Sequence, residues 1–287
     1  MSSFSFTAHK MRPAKIFGKI VFYVIITLAA ILVLVPFLWM LSTSFKGAEP
    51  IRTIPIRWIP EHPTLSSYAQ VIGMSSFNFG RATFNSFFIA ITCTVVQVLS
   101  VSMAGFIFAK IPFKGREKVF LLYLATMMIP TTVTLIPSYT ILNGMHLLDT
   151  YWAMILLALN NAFGVFLMRQ NMSAVHDAYL EAAMMDGCSM AKIFFKIMLP
   201  MCKPAVATMT LMAFMGAWND YLKPLIILTS NDMQTLQLAL ATLNGQAGGK
   251  ENILMAGAVL TILPILIVYI CVQRYIDEGL QIGGMKG

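Results

Sequence analysis

"EAAMMDGCSMAKIFFKIMLP" (Glu181–Pro200) separates two long apolar runs with a carboxylate, two lysines and a glycine. A plain loop would join two membrane spans, so a charged, helix-forming insert needs a reason. Ala, Leu, Glu and Met in "AYLEAAMM" favour helix, Asp177 is a candidate N-cap, and Gly187 can stop the helix because glycine tolerates the left-handed conformation. Ser189 can cap a second helix, in which Lys192 and Lys196 stack at i, i+4 while Ile193, Phe194, Ile197 and Met198 offer an apolar side; Pro200 ends it. Two explanations stand open. An amphipathic element lying on lipid headgroups suits the second helix. A docking element for another protein suits the first: Ala182 and Ala183 permit close approach, and Glu181 has the wrong sign for anionic lipid but invites a basic partner.

The flanks say where the insert lies. Of 287 residues, 58% are hydrophobic and 11% charged, against about 25% charged in an average soluble chain. Mean hydropathy is +0.75, so the fold class is an all-α polytopic membrane protein. A span needs about 20 mostly apolar residues. Six transmembrane helices are expected: Ile20–Leu41, Ala82–Ala109, Val119–Tyr139 with Pro130 and Pro137 set to bend or end it, Thr150–Met168, Pro204–Leu228 and Asn252–Gln273.

Six spans put both termini on one side. That side carries 14 of the 20 Lys and Arg residues, including Lys10, Arg12, Lys110, Lys114, Arg169 and Lys192. The positive-inside rule then makes the termini and the insert cytoplasmic. The expected organisation is a cytoplasmic tail over 1–16, a first span and external loop over 17–80, a core of five spans over 81–275 with the insert at 170–203, and a cytoplasmic tail over 276–287. The first apolar run is of full spanning length with no small-residue cleavage site after it, so no removable signal peptide is expected.

The same distribution excludes other classes. A net charge of +8 gathered beside apolar runs is a topology signal, not a nucleic-acid surface. Cys93, Cys188, Cys202 and Cys271 are dispersed, two of them inside apolar runs, without disulfide or metal spacing. His9, His62, His146 and His176 are scattered, and no aspartyl pair shares a helix face, which argues against a membrane enzyme. An ion-coupled secondary transporter would carry intramembrane ionisable residues and an internal repeat; the acidic residue well inside a span is Asp220, near one end. The stretch "NGQAGGKEN" (Asn244–Asn252) lacks the first glycine and the Ser/Thr of a P-loop, so no ATP-binding motif is present and any ATP energy is expected to come from a partner.

Glu181-Ala182-Ala183, three residues, Gly187, nine residues, Ile197, one residue, then Leu199 and Pro200 resembles in full the EAA-loop signature of permease subunits from binding-protein-dependent ABC importers. "FNSFFIA", "AWNDYLKPL" and the ending "QRYIDEGLQIGGMKG" resemble the carbohydrate branch, the smaller maltose-type permease, so the likeness covers nearly the whole chain. Met184, Met185 and Met190 depart from the other apolar residues common in that branch. The resemblance implies the type I importer permease fold with a cytoplasmic coupling helix. In that family the loop seats in a groove of an ATPase subunit, which assigns ATPase coupling to Glu181, Ala182, Ala183, Asp186, Gly187, Ile197, Leu199 and Pro200. It also implies a second homologous permease, an ATPase dimer that uses ATP and Mg while this chain binds no cofactor, an extracellular or periplasmic solute-binding protein, and contact of the C-terminal "GGMKG" with the ATPase.

For a transport path, the intramembrane polar residues Asn85, Gln97, Asn219 and Asp220 are candidates, with Trp218 and Tyr221 placed to stack on a sugar ring. Each has a plainer alternative. Asn and Gln pair helices, Asp220 and Lys223 at i, i+3 can form a local ion pair, and aromatics gather at membrane interfaces. The glycine-bearing segment Thr229–Glu251 is expected to be a mobile external probe or a flexible connector.

Overall fold

Inside a bilayer no water satisfies backbone N–H and C=O groups, so each apolar run has to fold on itself as helix, and any break must face protein or a cavity. The computed structural model describes residues 13–47, 51, 54–74, 78–246 and 250–284. Among the described residues, three helices are long and apolar enough to cross a membrane unbroken: α1 (Pro13–Ser44), α3 (Phe79–Lys110) and α14 (Glu251–Gly284). Up to three more spans are bent pairs, which brings the total to six. A short helix, α2 (Ser66–Ile72), lies between α1 and α3. Beyond helices and turns, the described residues form one isolated bridge, Lys46 to Pro63.

The breaks follow local chemistry. After α4 (Arg116–Ala125) and a tight turn to Met128, the chain bends 100° into α5 (Thr131–Gly144). Ile129 is extended, as the residue before a proline prefers, and Pro130 caps α5. Pro130 therefore breaks the third span as expected, whereas Pro137 sits inside α5 and does not end it. The fourth span bends 46° between α6 (Tyr151–Ala158) and α7 (Ala162–Ser173). Asn161 caps α7, its Oδ1 accepting from Gly164 N–H at 2.7 Å. The freed Leu159 carbonyl accepts from Ser100 Oγ at 3.0 Å. The fifth span runs in α11 (Lys203–Trp218), about 24 Å at 1.5 Å per residue, then breaks at Asn219–Tyr221 before the short α12 (Leu222–Ile227).

α3 is the central post, packed against α7, α11, α6 and α13. At Gly105 a Cβ would meet Met168 Cβ at 2.7 Å and Arg169 N at 3.0 Å, so the α3–α7 crossing exists because that residue is glycine. α1 packs on α14 with its apolar side chains outward, a surface suited to lipid or another helix.

The expectation for Thr229–Glu251 is corrected. Leu236–Gln246 forms α13, with Leu236, Ala239 and Leu243 buried, and it lies so close on α14 that a Cβ at Gly257 would meet Leu240 Cδ2 at 2.5 Å. Its apolar residues recur at helical spacing, and that outweighed the glycines behind them. Gly248 and Gly249 lie outside the described residues, as do 1–12 and the Met285–Gly287 part of the C-terminal "GGMKG". α14 stays helical through Gly284, well into the expected tail.

Candidate functional site

The insert is two helices turned back on the core. α8 (Ala178–Met185) ends in a left-handed glycine: Gly187 has φ 74°, its N–H reaches Met184 O at 3.0 Å, and Cys188 N–H reaches Ala183 O at 3.0 Å. These two bonds close the last turn and satisfy carbonyls that α8 leaves free. Ser189 caps the next helix, accepting from Lys192 N–H at 3.3 Å. That helix comprises α9 (Met190–Ile193), a wider π turn over Phe194–Met198 and α10 (Leu199–Met201). The π turn lies just before Pro200, a residue with no N–H for an ordinary helical bond, and Leu199 N–H reaches back five residues to Phe194 O. At Cys202 the chain swings 86° into α11.

Asp177 does not cap α8 with its side chain; the correction has a clear cause. Lys110, the last residue of α3 and 4% exposed in its side chain, donates to Asp177 Oδ1 and to Val175 O, both at 2.5 Å. His176 Nδ1 instead accepts from Ala178 N–H at 3.2 Å. The bond from Lys110 holds the Asp177 carboxyl below its ordinary range. Leu180, Ala183, Ile193, Phe194 and Met198 bury the inner side, Phe194 against Phe106 of α3 at 5.5 Å. Glu181, Ala182, Asp186, Gly187 and Pro200 face outward; Ile197 and Leu199 are half-buried. Tyr179, Met184, Met185 and Met190 are exposed beside Glu181, and Glu181 makes no ion pair with any described residue.

The second feature is a cavity of about 460 Å³. All three intramembrane breaks open onto it: Ile129 and Thr131 from the third span, Asn160 and Asn161 from the fourth, Asp220 from the fifth. Gln97 and Cys93 of α3, Phe163 and Gly216 complete the wall used below. A neighbouring hollow of about 410 Å³ takes Thr131, Asn219, Tyr221 and, again, Asp220 and Lys223. Lys223 Nζ meets Asp220 Oδ2 at 2.9 Å, and Asp220 Oδ1 also accepts from Lys223 N–H at 3.2 Å. The local ion pair is therefore formed, and it lies on the wall shared by the two hollows.

Gln97 and Asp220 thus meet at one cavity, and Asn219 and Tyr221 at its neighbour. Asn85 and Trp218 line neither, which corrects their expected place. Asn85 is fully buried, donating to Asp232 O at 2.8 Å and Gln234 O at 2.9 Å while Tyr151 Oη donates to its Oδ1 at 2.7 Å. Trp218 is 2% exposed, with Nε1 donating to Thr261 O at 3.0 Å and its ring stacked on Phe214 and edge-on to Phe87, so no face is free for a sugar. Sequence reasoning missed Asn160, Asn161 and Phe163. The signal was present: paired asparagines before a helical glycine mark a cap inside an apolar run.

Comparison with known proteins places this architecture. Over 90% of its length the chain is 38% identical to the arabinooligosaccharides transport system permease protein AraQ of Halalkalibacterium halodurans, covering 93% of that protein. It is 34% identical to AraQ of Bacillus subtilis, over 90% and 92% of the two chains. Among solved structures, a chain of a bacterial ABC transporter involved in the import of the acidic polysaccharide alginate superposes with a TM-score of 0.79 at 25% identity, over 96% of this chain and 99% of that one. Residues 101–282 match the binding-protein-dependent transport system inner membrane component, and with the AraQ likeness covering 90% of its length, the chain belongs to that family of ABC importer permeases.

Proposed function

We propose that this chain forms half of the translocation pathway of an ATP-driven importer for a carbohydrate, an oligosaccharide of the arabinose or galactose type being the nearest guide from its relatives. A second, homologous permease completes the pathway, a solute-binding protein delivers the cargo at the outer face, and a separate ATPase dimer uses ATP and Mg. The α8–α10 insert is the ATPase-coupling element, and it lies in the cytoplasm with both termini, a sidedness supported by the distribution of the basic residues.

One observation carries this assignment: an outward Glu181, without an ion pair among the described residues, stands among exposed Tyr179, Met184 and Met185 on a helix whose inner side is fixed to α3. A stiff element with an uncovered, partly apolar outer face suits a protein partner, and coupling requires contacts that differ between two global states. Losing one partner of a desolvated interfacial charge pair costs about 2–5 kcal/mol, enough to uncouple transport. Glu181→Arg reverses that charge. At Gly187 a Cβ meets nothing within 4 Å, so the effect of Gly187→Trp is left-handed strain at φ 74° plus bulk toward the partner. Both variants are expected to lose ATPase association and uptake while still reaching the membrane. Normal uptake by both, or crosslinks from Ala182→Cys to lipid alone, would remove the assignment.

A further inference from the structure

The two hollows share a wall on which Asp220 and Lys223 are the charged residues, of opposite sign and paired at 2.9 Å. The remaining polar lining of the larger one is uncharged: Gln97, Thr126, Thr131, Asn160 and Asn161. We propose that this paired wall selects uncharged saccharides and rejects uronate-type acidic ones, with Asp220 and Lys223 as the specificity-determining residues. The proposal rests on the carbohydrate-importer assignment above and gives its cargo a charge class.

The chemistry follows from what each cargo needs. A carboxylate leaving water requires a countercharge or several donors. Here the one cation on the wall already holds a carboxylate, and Asp220 itself would repel a second. A sugar hydroxyl donates and accepts at once. It can donate to Asp220 and accept from Lys223 or from the amides of Gln97, Asn160 and Asn161 without disturbing the zero net charge. Phe163, 39% exposed on the same wall, and Tyr221, 38% exposed in the neighbouring hollow, offer apolar area for a sugar face. Chain likeness to an importer of an acidic polysaccharide therefore does not carry over to the charge of the cargo.

The wall charge and the ligand class can be read together in the assembled transporter. Gly216 lines both hollows, and a Cβ there meets nothing within 4 Å, so Gly216→Cys places a thiol at the site without distortion. Its labelling is followed with anionic, cationic and neutral methanethiosulfonates, against the chain lacking that cysteine. With the native pair, the anionic-to-cationic rate ratio should stay within about threefold of a free thiol's. Asp220→Asn should raise that ratio about tenfold and Lys223→Gln lower it similarly, as expected of a nearby unit charge in a partly solvated site. An unchanged rate with the neutral reagent shows that the fold is intact. Arabinotriose should slow labelling in the native pair and trigalacturonate should not, and Asp220→Asn should let trigalacturonate protect.

Protection of the native site by trigalacturonate as strong as by arabinotriose overturns the proposal, as does a rate ratio that Asp220→Asn leaves unmoved. Failure of the native transporter to take up any saccharide with ATP would instead count against the importer assignment, and the labelling result separates the two.

Discussion

Three glycines in three different helices carry the same substitution into three different surroundings, and the outcome should grade with distance. A Cβ at Gly105 would lie 2.7 Å from Met168 Cβ, 3.0 Å from Arg169 N and 3.1 Å from Met168 C. Two of those atoms are backbone, so α3 and α7 must separate by several tenths of an ångström along a crossing that buries Val101, Val165 and Met168. Overpacking of this kind costs about 1–3 kcal/mol, set against up to about 1 kcal/mol gained from replacing a helical glycine by alanine. At Gly164 the near atoms are Met209 Sδ and Cε and Val101 Cγ1, all at 3.0 Å, and a methionine tip can swing aside; the two terms should nearly cancel. At Gly216 nothing lies within 4 Å, so Gly216→Ala should stabilise by the helix term alone, about 0.5–1 kcal/mol. Thermal unfolding of the detergent-solubilised transporter should therefore rank Gly216→Ala above the native chain, Gly164→Ala near it and Gly105→Ala below. If Gly105→Ala proves as stable as Gly216→Ala, the α3–α7 contact is not what holds this end of the molecule.

The sequence made the spans legible because bilayer length and helical backbone pairing leave few choices, and it made the insert legible because capping residues and Gly187 act locally. Ser189 and Gly187 sit where local chemistry puts them. Asp177 does not, because a residue 67 positions earlier in the chain, Lys110, competes for the same carboxylate, and no window of sequence contains both. The cavity was half legible for a related reason. Polar residues inside apolar runs flag themselves, yet whether one faces a hollow or a neighbouring backbone depends on which helices meet. Asn85 turned toward the 232–234 loop and Gln97, three turns along the same helix, toward the cavity. The breaks show the converse. Pro130 announces its own, whereas the break at Leu159–Asn161 is marked only by the paired asparagines and is tolerated because Ser100 of α3 donates to the stranded Leu159 carbonyl.

The Lys110–Asp177 tie should show in acid. Because the fold lowers the Asp177 pKa from 3.8, the stability it contributes is present above that value and is lost as pH falls through the lowered one. Thermal stability measured from pH 7 down to 3 should thus fall more for the native chain than for Asp177→Asn, the gap between them narrowing toward the acid end; parallel curves would mean that Asp177 does not tie α3 to α8. Asn85 tests whether a buried polar side chain in a span serves the fold or the cargo. Asn85→Leu keeps the side chain's branched outline but strands the Gln234 carbonyl and the Tyr151 hydroxyl, and leaves the Asp232 carbonyl to Arg81 Nε at 3.3 Å. An unsatisfied buried group costs about 1–3 kcal/mol, so partial relaxation still leaves a loss of about 2–5 kcal/mol. Tyr151→Phe strands the Asn85 Oδ1 and should cost about 1 kcal/mol or somewhat more by the same rule. A tie predicts that both variants lower thermal stability in that order, with uptake per folded transporter retained by Tyr151→Phe. A residue that meets cargo predicts the opposite pattern, an Asn85→Leu chain that melts like the native one and transports poorly, and that result would return Asn85 to the pathway.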